Sequence, residues 1–473
     1  MTTPVWAFGV INALTLTDNI GLSAPGSEQG GTILEVSPYA IATIDRPLRQ
    51  LQLSYKLRNF YLTPDEGYEG PRHDLRARGN AALYEDWLWL SGQAMVFDVS
   101  TSPFGATAPD PASRTGNRSR YISYDLMPYV LGRIGTSTAY EAGYGLSYLK
   151  YGEEGISSFA QRVRGRVGQE TGVGGLGWLT SLNGSRRRFD NDVEYDTRNA
   201  SLGALYRPTR SLRVGVSADY AKIDVLSVDG DNSGWGPGMV LNWRPSERTA
   251  FELKASDAYY GDSGLARLTH RAARWTFGLE YQKSLQDGGE AALSYLGTAP
   301  RLRNRRSDSE DDTFSGMGID PMAGFLAPPA SGIVSGALVW TRRFSINIDR
   351  QGLRNHVGLT FFQSDNESIP TDVPLPMIAN APDNIKQKGA LLRLSRNLSP
   401  GSLLGLDGSF VRSRSPGSSL ESDLAILIAS WRYELTLRSS FAIAYRRSEQ
   451  QSDNDASAEY TENAVLAAFD IRF

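Results

Sequence analysis

The sequence has no cysteine in 473 residues and only three histidines, His73, His270 and His356. Without thiols, disulfides, thiolate-bound zinc and iron–sulfur clusters are excluded. An oxidising periplasm is compatible with this but not required by it. Neither sign of charge dominates: 49 Lys and Arg stand against 52 Asp and Glu. No strongly basic stretch offers itself to nucleic acid. No run of about 18 apolar residues exists, so no transmembrane helix is available. No long segment keeps a helical period, and no secretory signal opens the chain. After Met1-Thr2-Thr3, strand-like sequence begins at Val5. We read this as a mature or engineered start from which an export signal has been removed, with no plug domain ahead of the first strand.

What the sequence has in abundance is two-residue alternation. Leu51, Leu53, Tyr55 and Leu57 oppose Gln50, Gln52, Ser54, Lys56 and Arg58. Val163, Gly165 and Val167 oppose Arg162, Arg164 and Arg166. Leu435, Leu437, Phe441, Ile443 and Tyr445 oppose Thr436, Arg438, Ser440 and Arg446. In a bilayer every backbone polar group must be paired, which leaves helices and closed barrels. A barrel shows lipid only alternate residues, so its mildly negative mean hydropathy is no objection.

The connections alternate in length. Short ones are Asp45–Leu48, Gly135–Ser137, Arg207–Arg210, Arg244–Glu247 and Leu398–Gly401. Long polar ones are Gly21–Gly31, Thr63–Arg72, Ser100–Ser119, Val228–Ser233, Leu285–Ser331, Ser364–Asn384 and Ser413–Ser422. Outer-membrane barrels have short periplasmic turns and longer outer loops. The fold class expected is therefore all-β: a single transmembrane, antiparallel, up-and-down barrel over 1–473, integral to a bacterial outer membrane. It should have about 22 strands, within a range of roughly 18 to 24. An even count puts both termini on the periplasmic side.

Trp87, Trp89, Trp243, Trp275 and Trp431 lie beside short turns and read as an interfacial girdle, the alternative being ordinary core tryptophan. The chain ends with Val465, Ala467, Phe469, Ile471 and Phe473 on one face. A terminal aromatic on an alternating apolar strand resembles the signal read by barrel assembly machinery, here carried by Phe469, Ile471 and Phe473. Arg58, Arg162, Arg164, Arg166, Glu252, Lys254, Glu280, Arg393, Asp407 and Arg438 are the lumen-lining candidates. Charge of both signs suits a wet lumen, and the Arg ladder could hold an anionic chain.

A barrel this wide is commonly plugged. Leu285–Ser331, with Phe314, Met317, Met322 and Phe325, is the candidate lumen constriction. Three acidic groups fall in loops: Asp308, Glu310, Asp311 and Asp312; Asp229, Asp231 and Asn232; Asp453, Asn454 and Asp455. None has the spacing of a calcium loop, so no metal ligand and no cofactor is assigned. Gly261-Asp262-Ser263-Gly264 is similar to a serine-protease nucleophile segment but also reads as a tight turn. No histidine stands near it in a catalytic context, and no catalytic residue is assigned.

Thr15–Ile20, Tyr206–Leu212 and above all Trp235–Leu253, with Leu241–Thr249 at its centre, resemble the outer-membrane β-barrel family associated with the PEP-CTERM/exosortase system. That family accompanies exopolysaccharide gene clusters. The resemblance implies a channel that passes an exopolysaccharide, working with a periplasmic polysaccharide-export protein. Lipid, lipopolysaccharide and the assembly machinery are the other partners expected. The alternatives are a general diffusion porin, a structural sheath around a partner protein and a barrel enzyme.

Overall fold

The computed structural model describes residues 5–64, 67–110, 112–113, 115–152, 156–169, 172–226, 228, 230–287, 338–372, 384–453 and 458–473. They form one antiparallel sheet of 22 strands. The first eight are β1 (Val5–Thr17), β2 (Gly31–Arg46), β3 (Arg49–Thr63), β4 (Gly67–Tyr84), β5 (Leu88–Ser100), β6 (Arg118–Ile134), β7 (Thr138–Tyr151) and β8 (Ser157–Gln169). Next come β9 (Leu176–Phe189), β10 (Glu194–Thr209), β11 (Leu212–Ile223), β12 (Ser233–Ser246), β13 (Thr249–Ala258), β14 (Gly261–Ala272) and β15 (Trp275–Asp287). The last seven are β16 (Leu338–Gln351), β17 (Asn355–Ser368), β18 (Asn384–Ser399), β19 (Ser402–Arg414), β20 (Glu421–Thr436), β21 (Ser439–Ser452) and β22 (Tyr460–Arg472). Each strand pairs with the next, and β22 returns to β1 from Gly9↔Arg472 to Thr17↔Ala464. The ring is closed, so no edge is left unpaired.

Closure fixes which face is which. Side chains alternate along a strand, and residues opposite each other across a ladder share a face. Followed through all the registers, one face returns to itself at the β22–β1 seam. That face carries Ile11, Ala13, Glu35, Arg58, Arg446 and Glu462, all buried. It is the lumen side. The other carries exposed Trp6, Phe8, Leu14, Leu16, Val163, Leu202, Val216 and Trp235, an apolar surface that only lipid can cover.

Both ends of the chain lie at the end with short turns, which run from two residues (Pro47–Leu48) to six (170–175). The opposite end has the longer connections, including 18–30, 101–117, 224–232, 288–337 and 369–383. Where Pro208 and Pro245 approach their turns, the ladder shifts register between Tyr206 and Thr209 and between Trp243 and Ser246. Proline has no N–H to give the ladder, so the strand bulges there. The connection between β13 and β14 is Tyr259–Tyr260. Gly261–Gly264 therefore opens β14 instead of forming the turn itself, with Ser263 paired to Ser256.

Candidate functional site: the barrel lumen

The inner wall has two unlike halves. Around β1–β3 and β20–β22 it is covered. The connection 101–117 leaves β5, crosses the mouth and docks on this wall. Gln450 accepts a hydrogen bond from the Thr107 amide at 2.9 Å and donates one to the Gly105 carbonyl at 2.9 Å. The Tyr460 hydroxyl donates to the Thr107 carbonyl at 2.6 Å. Ala112 packs among Ile33, Phe60 and Leu62, and Ala108 between Leu22 and Tyr460. Asn117 sets the loop's shape: its Oδ1 accepts from the Thr101 hydroxyl and the Ser102 amide, and its Nδ2 donates to the Ser102 and Ala106 carbonyls.

Charge beneath this cover is paired. Arg58 holds Glu35 through two bonds of 2.8 Å, with Arg58 only 6 % and Glu35 3 % exposed. Arg446 holds Glu462 at 2.9 Å and lies 3.6 Å from Asp110 of the inward loop. Tyr39 donates to Asp470 at 2.8 Å, and Arg472 meets the other oxygen at 3.1 Å. Isolated ions could not be buried here. Each charge is brought in with its counter-charge on a neighbouring strand or the loop. Arg446 lies six residues from the outer end of β21, so the loop's ion pair reaches roughly 20 Å along the strand at about 3.3 Å per residue.

From β6 to β19 the wall is wetter. Arg162 pairs with Asp125, and Arg164 lies 3.8 Å from Glu141. Arg267 pairs with Glu280 at 2.8 Å, Lys254 with Glu252 at 2.6 Å, and Arg393 with Asp407 at 2.9 Å. Arg166 also faces inward and has no charged partner among the described residues. The three-Arg run of β8 is thus largely neutralised by β6 and β7, which removes the anion ladder suggested by the sequence.

Between these pairs, β9–β14 present hydroxyls and amides around a cavity of about 190 Å3. Asp219 is its centre. It accepts from Ser201 at 2.5 Å, Ser256 at 2.7 Å and Ser217 at 3.2 Å. Above it, Val225 and Leu226 pack with Leu338, Tyr260 and Ile369, and the Asp372 amide donates to the Val225 carbonyl. Tyr259 donates to the Leu226 carbonyl at 3.1 Å. Burial pushes the Tyr259 phenol up to about 12, so it stays a neutral donor across the physiological range.

Two sequence-assigned positions are corrected. Trp89 is 4 % exposed and turns inward against Tyr129, its indole N–H donating to the Asp86 carbonyl at 2.8 Å. By the plain alternation of β5 it shares the inner face with Ser91, Gln93 and Met95, opposite Tyr129 of β6. Arg438 lies in the Leu437–Arg438 turn and is exposed there, so it lines no lumen. The other nine lumen candidates face inward. Trp87, Trp243, Trp275 and Trp431 are exposed at the short-turn end, joined by Trp6 and Trp178, which sequence reasoning missed. Phe469 and Ile471 lie on the lipid face, and the Phe473 amide donates to the Phe8 carbonyl at 2.8 Å. The 285–331 constriction lies outside the described residues beyond Asp287, as do Asp308, Glu310, Asp311, Asp312, Asp229, Asn454 and Asp455. Among the described residues no three metal-ligating side chains converge. His73 and His270 face outward against Tyr55 and Thr249, and His356 pairs with Asp349. None adjoins Ser263.

No family model matches the chain, and no curated protein matches it in sequence. Solved structures do. The FrpB iron transporter of Neisseria meningitidis (F5-1 variant) superposes at a TM-score of 0.55 and 8 % identity, over 99 % of this chain and 82 % of that one. The siderophore receptor PirA of Acinetobacter baumannii gives 0.49 and 8 %, over 98 % and 80 %. The chain is an integral outer-membrane β-barrel. At such low identity the likeness speaks for the fold alone. The neighbours are transporters and receptors by their names, not enzymes.

Proposed function

We propose that this barrel is an outer-membrane channel that conducts an extended, hydroxyl-rich polymer, an exopolysaccharide, handed to it by a periplasmic export protein. The observation that carries this reading is the contrast within the lumen. Many of its charges are compensated in ion pairs, while the open wall of β9–β14 offers serine, asparagine and one shared carboxylate. A sugar chain can move along such a wall by exchanging hydrogen bonds with side chains and water. Net fixed charge would instead select small ions. The family resemblance in Trp235–Leu253, which forms most of β12 and the first half of β13, agrees with this.

The test is a deletion strain. Loss of surface polysaccharide, with uptake of small solutes unchanged, supports the conduit. Unchanged polysaccharide overturns it. A second reading, uptake of an iron chelate, is favoured by the likeness to FrpB. It requires the same strain to grow poorly on chelated iron, an outcome the conduit does not produce.

A further inference from the structure

We infer that the recess centred on Asp219 is a docking site for a single sugar ring of the polymer in transit. This rests on the conduit reading and gives it an address in the wall.

The recess is built by what β12 omits. Its inward positions 234, 236 and 238 are all glycine. A Cβ on Gly238 would collide with the Asp219 carboxylate and the Ser217 hydroxyl, and one on Gly236 with the Asp257 carbonyl. The strand is therefore bare toward the lumen, and neighbouring strands supply the chemistry. Asp219 is held by three serine hydroxyls, which fix its orientation without neutralising it. A carboxylate so positioned is a strong acceptor for sugar hydroxyls. Across the recess, Asn183 and Asn199 face each other on β9 and β10 with no partner among the described residues, and each amide offers a donor and an acceptor. Tyr260 closes the outer side, its ring held against Trp340 at 5.9 Å. An aromatic wall, an oriented carboxylate and free amides around a volume of about 190 Å3 match a ring that has apolar C–H faces and a hydroxyl rim. Asp219 also argues for a neutral sugar, since a uronate would meet like charge.

The test uses the purified full-length barrel in detergent, titrated with maltohexaose, cellohexaose and trigalacturonate in a calorimeter. At least one neutral hexaose is expected to bind. The Asn183→Ala/Asn199→Ala variant, which removes two lumen-facing side chains, should weaken it by about tenfold or more. Asp219→Asn should do the same, and a heat-shifted gel band confirms that both variants fold. The site is overturned by no binding of either neutral hexaose, or by binding unchanged in both folded variants. Tighter binding of trigalacturonate also overturns it. If the site fails while the deletion strain still loses its polysaccharide, the conduit stands without this address. If the hexaose binds while the deletion strain exports normally, the conduit fails and the site remains.

Discussion

Removing the Glu35 carboxylate should destabilise the barrel far more than removing an ion pair of identical chemistry elsewhere in the lumen. Glu35 accepts two bonds of 2.8 Å from Arg58 and is also bonded to Ser37. Lys56, 8 % exposed, lies close by, and its coulombic coupling to Arg58 is repulsive. Glu35→Ala would take from a buried guanidinium the carboxylate that makes two bonds of 2.8 Å to it, and from the Ser37 hydroxyl its acceptor, with a second cation close by. Breaking a buried pair in this way costs about 3–5 kcal/mol. Arg393 and Asp407 are also 2.9 Å apart, but the Arg393 side chain is 60 % exposed to the lumen. Asp407→Ala, which leaves a guanidinium that water already reaches, should therefore cost no more than about 1 kcal/mol. Replacing both buried partners, Glu35→Ala with Arg58→Met, should recover much of the loss, because the guanidinium deprived of its carboxylate is then gone too. The assay is guanidinium unfolding in lipid vesicles followed by tryptophan emission, read as the change in midpoint at constant slope. If Glu35→Ala and Asp407→Ala cost the same small amount, water reaches Glu35 and the inward loop is not seated on this wall.

Further outcomes follow from the same geometry. Tyr460→Phe leaves the Thr107 carbonyl without its donor, and should cost about 1–3 kcal/mol in the same unfolding assay. Excising residues 103–112 should raise single-channel conductance in a planar bilayer; unchanged conductance would mean that the loop does not narrow the mouth. Brominated lipid should quench Trp243, Trp275 and Trp431, exposed on the outer face, in single-tryptophan variants, and should leave Trp89 bright. Deleting Phe473 should slow assembly in cells, seen as accumulation of the heat-unshifted gel band, without altering the unfolding free energy by more than about 0.5 kcal/mol.

The barrel was legible because its physics is periodic. Alternation in β3, β8 and β21 announces a sheet with one greasy face, and prolines in or just before the short turns, Pro47, Pro208, Pro245 and Pro400, mark where strands must reverse. What was illegible depends on neighbours far away in sequence. Arg58 and Arg162 are inward in any reading, but their partners Glu35 and Asp125 are chosen by register, which no local pattern fixes. Trp89 was misplaced because nearness to a turn was read without its parity in β5, where it keeps step with inward Ser91, Gln93 and Met95. Arg438 was misplaced because alternation was carried through a two-residue turn. The inward path of 101–117 left one signal that was passed over. Phe104, Ala106, Ala108 and Ala112 make it too apolar for a loop left in water, and its Asp110 is buried. The recess had a signal too, in the alternate glycines at 234, 236 and 238, which leave no side chain on one face of a strand.

The absence of native cysteine permits the most direct test of passage. In the Asn199→Cys variant the single thiol faces the lumen beside the recess. Intact cells would be treated with a membrane-impermeant maleimide while polysaccharide synthesis is switched on or off. Polymer in the lumen should shield the thiol, so labelling should be slow during export and fast once synthesis stops. Equal labelling rates in the two states would contradict the account.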